Sequence, residues 1–113
     1  KTTGHTAVVC DRDMVIAVTG ASRRELIDKR ISEDLENIIE SRQMYSYKEG
    51  QSRISITDNS DHLYVSVAAP IISEGDISGC VLFIATDGDK AMGDTEYKLV
   101  QTVAGFLGKQ MES

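Results

Sequence analysis

The sequence predicts an α+β domain: a mostly antiparallel five-stranded sheet, helices crossing between its second and third strands, and an amphipathic helix at the end. Three observations carry this. Residues 62–86 read as two strands joined by Ser73-Glu74-Gly75-Asp76. Residues 5–10 and 14–19 read as two further short strands around Asp11-Arg12-Asp13. Helical stripes then appear at Leu35, Ile38 and Ile39 and again along residues 94–111.

The 62–86 hairpin is the centre of the pattern. In its first arm Leu63, Val65, Val67 and Ala69 alternate with His62, Tyr64, Ser66 and Ala68, the period of two that a strand with unlike faces requires. Its second arm is almost continuously apolar from Ile77 to Ala85, which predicts burial on both faces. Gly75 supplies the conformational freedom of the turn. Pro70 cannot donate to a ladder and so predicts an edge, a bulge or a bend.

In chain order, HTAVVC and MVIAVT are rich in β-branched residues, and the acidic turn between them makes a first hairpin. Asp11 and Asp13 gain no further metal ligands downstream. Ser22 and Glu25 have capping-box spacing, so a short helix begins there, with Leu26 and Ile27 inward and its end near Lys29. Arg23 and Arg24 at that start are surface charge, or an anion contact. A second helix starts at Ser32, with Glu33 and Asp34 favoured by the helix dipole. Met44–Gly50 is either a short strand or an aromatic-bearing loop, and 53–57 alternates as the third strand with Ile54 and Ile56 on one face. The last helix has Asp94 as N-cap. Tyr97, Val100, Val103, Ala104, Leu107 and Met111 lie on one arc, and Leu99 and Phe106 on a second beside it. That combined face is wider than packing on one sheet requires. It predicts a self-association surface through Leu99, Val103, Phe106 and Gln110.

Composition narrows the function. With 113 residues and 41% apolar content the chain forms one domain, residues 1–113, with no run long enough to span a bilayer. A cytoplasmic location is expected, since no secretory signal pattern opens the chain. The start, almost directly in a strand, reads as a piece cut from a longer protein. A net charge of −6 makes the chain itself a poor nucleic-acid binder. Cys10 and Cys80 lie in apolar strands and read as reduced, buried thiols, with a disulfide or redox pair as the other reading. A catalytic pair would need one of them with His5 or His62, and an apolar strand raises a thiol's pKa. The sequence has no phosphate loop and no HxxxH or CxxC spacing, so no enzyme, metal or cofactor is expected.

Three phrases sharpen the topology into a resemblance: HTAVVCDRDMVIAVTGASRRELIDKRIS, AAPIISEGDISGCVLFI and MGDTEYKLVQTVAGFLGKQME. They are similar to the C-terminal GAF-like domains of the stage V sporulation T (SpoVT) family, AbrB-type transcriptional regulators of spore-forming bacteria. No such phrase lies between Ser41 and Asp61. The resemblance implies a GAF/PAS-like fold and a regulatory role in a sporulation transcription factor. It implies that DNA is bound through an N-terminal AbrB-type domain absent from these residues. It also implies a dimer, or a tetramer in the full-length protein, built partly by the last helix. A GAF pocket would lie between the sheet and the segments crossing it. There Arg53, Ser55, His62, Tyr64 and Ser66 are the candidate contacts to an unidentified small effector, with His62 the sharpest because it donates and accepts at neutral pH. The plainer reading of His62 is a strand start beside solvent. The alternative for the whole domain is a ligand-free oligomerisation module.

Overall fold

In a computed structural model the described residues are 6–19, 23–58, 62–86, 88 and 90–112. The elements are β1 (Ala7–Cys10), β2 (Val15–Val18), α1 (Arg23–Leu26), α2 (Glu33–Ser41), β3 (Tyr45–Ser46), β4 (Tyr64–Ser73), β5 (Asp76–Ala85) and α3 (Asp94–Met111). The five strands form one antiparallel sheet in the order β2-β1-β5-β4-β3. The predicted class and strand number hold, but one strand differs. Residues 53–57 make only isolated bridges, Ser55 to Tyr64 and Thr57 to Ile31, and the fifth strand is Tyr45–Ser46. The reason lies at the start of α2. The carbonyls of Ser55 and Ile56 accept from the Ser32 hydroxyl (2.7 Å) and the Ser32 N–H (2.9 Å), so one edge of that segment is spent on a helix cap.

The two long strands are the middle of the structure, and their turn is tighter than the four polar residues suggest. Ser73 pairs with Asp76, leaving a two-residue loop of Glu74 (φ 54°) and Gly75 (φ 85°). Positive φ at both positions matches the right-handed twist of the flanking strands. The tip is tied to both helical layers: Arg42 Nη1 donates to the Gly75 carbonyl (2.8 Å), and the Glu74 N–H donates to Glu112 (3.1 Å).

The alternation in β4 is broken by a bulge. Val65 pairs with Ile84 and Val67 with Phe83, so Ser66 is an extra residue between them. An inserted residue inverts every later side chain relative to the sheet. Leu63 and Val65 therefore lie with Val8, Leu26, Leu35, Ile39 and Leu82 in the core beneath α1 and α2. Val67, Ala69 and Ile71 lie with Val81, Phe83, Val100 and Ala104 in the core beneath α3. The single face predicted for Leu63, Val65, Val67 and Ala69 is thus two half-faces, and Ala68 joins the first core. A second bulge in β2, where Ala17 and Val15 pair with Val9 and Cys10, leaves Ile16 52% exposed. Pro70 sits past the end of β3, which covers only Val67 and Ala68, so its missing N–H falls at an open edge.

The helices follow their patterns closely. Leu26 is fully buried and Ile27 half-buried in the one-turn α1, and a left-handed Asp28 (φ 64°) ends it. The Ser22 cap lies outside the described residues. Ser32 caps α2, accepting from the Leu35 N–H at 3.1 Å, and Leu35 and Ile39 point into the core. For α3 the N-cap is Gly93 rather than Asp94, and the Gly93 N–H donates to Glu96 at 3.2 Å. Val100, Ala104 and Gly108 press on the sheet, while Leu99 and Phe106 stand 46% and 61% exposed. Met111, predicted on the inner arc, is exposed, because the line facing the sheet runs through Gly108 to Glu112, which accepts from the Glu74 N–H at the hairpin tip.

The two glycines of α3 differ. A Cβ on Gly108 would lie 2.3 Å from the Ile72 carbonyl oxygen, whereas one on Gly105 would meet nothing within 4 Å. Gly105→Ala should therefore stabilise the protein by about 1 kcal/mol, the helix-propensity difference. Gly108→Ala should cost about 1–3 kcal/mol, as overpacking does. Urea unfolding of the two variants beside the parent checks both signs.

Cys10 and Cys80 face each other across β1 and β5 as free, buried thiols. Their mutual hydrogen bond, then burial, pushes the Cys10 thiol well above its ordinary range. A folded-state pKa raised in this way adds stability below the unfolded pKa that is lost as pH rises through the folded one. Half-buried Tyr45, also pushed up, mainly by burial, has the same sign at higher pH. Stability in urea should hold flat up to about pH 8, given an unfolded thiol near 8.5, and decline above it. Cys10→Ala should be less stable at neutral pH but decline less steeply.

Candidate functional site

The crossing segment after β3 and the start of α2 enclose the polar hollow of interest. Ser32 is almost fully buried because its two jobs hold it there: it caps α2 and anchors the Ser55 carbonyl. Its neighbours Glu33 and Asp34 stay at the positive end of the helix dipole. Beside them Ile56 N–H donates to the Leu63 carbonyl (3.3 Å) and Val65 N–H to Ile54 (2.8 Å), which lays 54–56 along the entry to β4. Ile54 and Ile56 turn into the core, as predicted, and Arg53 and Ser55 turn away from it. Together Ser32, Glu33, Asp34, Arg53, Ser55 and Asp58 line a cavity of about 300 Å³.

Arg53 is held by aromatic rings. Its guanidinium carbon lies 4.1 Å from the Tyr47 ring centre and 5.4 Å from that of Tyr64. Tyr47 is itself nearly buried, and its N–H donates to the Ser66 carbonyl at 2.8 Å, so the bulge in β4 fixes the ring that carries the arginine. Stacking of this kind suits Arg because its planar cation is weakly hydrated. The hollow thus offers one oriented cation, three carboxylates and two hydroxyl side chains. It can hold a small polar molecule through both donors and acceptors.

The five predicted contacts separate. Arg53 and Ser55 line the hollow, and Tyr64 braces Arg53. His62 is exposed in a turn with φ 73°, before β4 begins, and is not among the lining residues. Ser66 is fully buried in the bulge, and its hydroxyl has no hydrogen-bond partner among the described residues. The predicted polar face of His62, Tyr64 and Ser66 therefore does not exist as one surface, because the bulge divides it. Ser32, Tyr47 and Asp58 were not predicted. The Ser32 cap and the shared parity of Tyr45 and Tyr47 were visible in the sequence, but the crossing path that brings them to Arg53 was not.

Other candidate chemistry is used structurally. Asp11 accepts from the N–H groups of Asp13 and Met14, both at 2.7 Å, which closes the first hairpin turn. No group of three His, Cys, Asp or Glu side chains among the described residues is arranged to hold a metal ion. No helix among them is long and apolar enough to cross a membrane. On α3, Leu99, Phe106 and Gln110 are exposed, and Val103 is half-buried at the margin of the core beneath the helix.

Comparison with known proteins agrees with this architecture. Residues 1–112 match the family described as "Stage V sporulation protein T C-terminal, transcription factor". The chain is 36% identical over 109 residues to the stage V sporulation protein T of Bacillus subtilis (strain 168), a match covering 96% of this chain. It spans 60% of that protein's own length. Among solved structures it resembles a GAF domain/HD domain protein from Geobacter sulfurreducens, with TM-score 0.61 and 17% identity, over 91% of this chain and 76% of the other. The chain therefore belongs to the family of stage V sporulation protein T C-terminal domains, a transcription-factor family, and has a GAF-like fold.

Proposed function

We propose that this chain is the sensor of a cytoplasmic sporulation transcription factor, binding a small polar effector in the hollow beside α2. The observation that carries this reading is Arg53, stacked on Tyr47 at 4.1 Å and lining a cavity of about 300 Å³. A charged group fixed against rings in a concave polar site is suited to orienting a small ligand. Occupancy would act through differential affinity for two arrangements of the domain, since a ligand that prefers neither shifts nothing. The reading through α3 is self-association of the full-length protein, with DNA bound by a part of it outside these residues. No catalytic step and no cofactor is proposed. The two thiols are buried, and Cys10 is pushed toward its neutral form, which is the opposite of nucleophile activation.

A second reading, a ligand-free oligomerisation module, is favoured by a different observation. Leu99 and Phe106 expose apolar side chains seven residues apart on one helix face. Exposed positions cost the fold little when truncated, roughly 0.5 kcal/mol or less. Leu99→Ala and Phe106→Ala should therefore weaken self-association in sedimentation while leaving the urea midpoint nearly unchanged. A variant as associated as the parent removes the α3 interface.

Native mass spectra of freshly purified protein, beside denatured ones, separate the readings. A retained mass lost on denaturation, and reduced in Arg53→Ala, is the result expected of the sensor. A clean oligomer without extra mass in both proteins favours the module. A retained mass equal in parent and Arg53→Ala moves the site away from the hollow.

A further inference from the structure

Across the sheet from that hollow, the open edge of β4 and the flank of α3 form a second concavity, of about 280 Å³, that the sensor reading does not use. Its apolar lining includes Met44, Ala69, Pro70 and Ala104, and Arg42 is the one charged side chain among the described residues that line it. Two features make it a place for something from outside the chain. Arg42 is the left-handed C-cap of α2 (φ 62°), and its Nη1 is tied to the Gly75 carbonyl at 2.8 Å, so its guanidinium is held in place beside apolar surface. Gly105 also lines the groove, and it has no packing reason within the chain. The other glycine of α3 is demanded by the Ile72 carbonyl, but a Cβ on Gly105 would meet nothing within 4 Å. The missing side chain is what leaves this wall of the groove open.

We infer that this groove binds a monocarboxylate with a short, unbranched apolar chain. The guanidinium takes the carboxylate, for which its planar fork is matched, and the chain lies along Met44, Ala69 and Pro70. The groove, of about 280 Å³ and open on one side, has room for a short chain such as that of octanoate. The net charge of −6 repels all monoanions alike, so preference over a simple anion rests on the apolar contact alone.

Octanoate is the probe, and the methyl resonances of Met44, Ile72 and Ala104 in the protein are the readout. The expected result is saturable shifts at these methyls in the millimolar range. Arg42→Gln should weaken binding by about two- to fivefold, as loss of a solvent-exposed ion pair does. Arg42→Lys should recover part of it, and Gly105→Leu, which fills the groove, should abolish it with an unchanged circular dichroism spectrum. Octanol should bind no better than octanoate binds Arg42→Gln. Three outcomes overturn the inference: no saturation, shifts centred on Leu99 and Phe106 instead, or octanol matching octanoate. Should Gly105→Leu not fold, the Arg42 variants and octanol decide alone. Failure here leaves the Arg53 hollow untouched, because the two sites share no residue.

Discussion

The pairing of β4 with β5 is the constraint on which the rest depends, and the bulge at Ser66 is its decisive detail. A ten-residue strand with strict alternation offers one set of side chains to each side for its whole length. The extra residue, third in the strand, changes the sides near its start. The strand's early apolar residues then complete the core under α1 and α2, and its later ones complete the core under α3. Both layers are thus seated on one strand, each at its own end. The cost is a fully buried serine hydroxyl without a hydrogen-bond partner among the described residues, on the order of 1–3 kcal/mol. In return the Ser66 carbonyl accepts from Tyr47, which places the ring that carries Arg53. A defect in one ladder is therefore also part of the scaffold of the polar hollow.

The start of α2 has a similar double role. Ser32 could satisfy an ordinary cap with its side chain alone. Here its hydroxyl and its backbone N–H also take the carbonyls of Ser55 and Ile56. That bond pair turns the Ile56 carbonyl to the helix while 54–56 stay paired with the entry to β4, so residues 53–57 make a bridge there and not a full strand. The same cap brings the start of α2 beside the space that Arg53 and Ser55 line. Fold and site share a cause: the hydrogen-bonding capacity of one segment is divided between a strand and a helix cap.

Much of the fold was legible because it rests on local patterns. The β4–β5 hairpin, the Ser32 start and the helical stripe of α3 each follow from periodicity or cap chemistry within a short window. The resemblance in the HTAVVC and AAPIISEGD phrases supplied the topology that periodicity alone leaves open. What was not legible depends on single insertions and long-range contacts. One bulged residue inverted the predicted face of Val67 and Ala69 and removed Ser66 from the polar surface, and nothing in VSVAA marks where the ladder slips. Likewise, the stacking of Arg53 on Tyr47 joins residues whose proximity is set by the path of the crossing segment, not by spacing. Arg53 and Ser55 were expected to share the polar face of the following strand, and they line the hollow although that face is broken. Ser32, Glu33 and Asp34 come to the same hollow from the start of α2.

The sensor and oligomer readings meet in α3, and the packing of that helix says why they need not compete. Its buried line, Val100, Ala104 and Gly108, rests on β4 and β5, and Gly108 lets the backbone approach Ile72 closely. Its exposed line, Leu99 and Phe106, is directed elsewhere. Between the two, half-buried Val103 and Leu107 share the margin of the core with Ala7 and Val9 of β1. The C-terminal end is also joined, through Glu112 and the hairpin tip, to the end of α2, whose other end borders the Arg53 hollow. A shift of α2 against the sheet would therefore be felt at the tip that both helices hold. Because interiors pack densely, such a shift is more readily taken up as a small rigid movement of α3 than as local compression. An association surface carried on that helix would then report the state of the site without touching it.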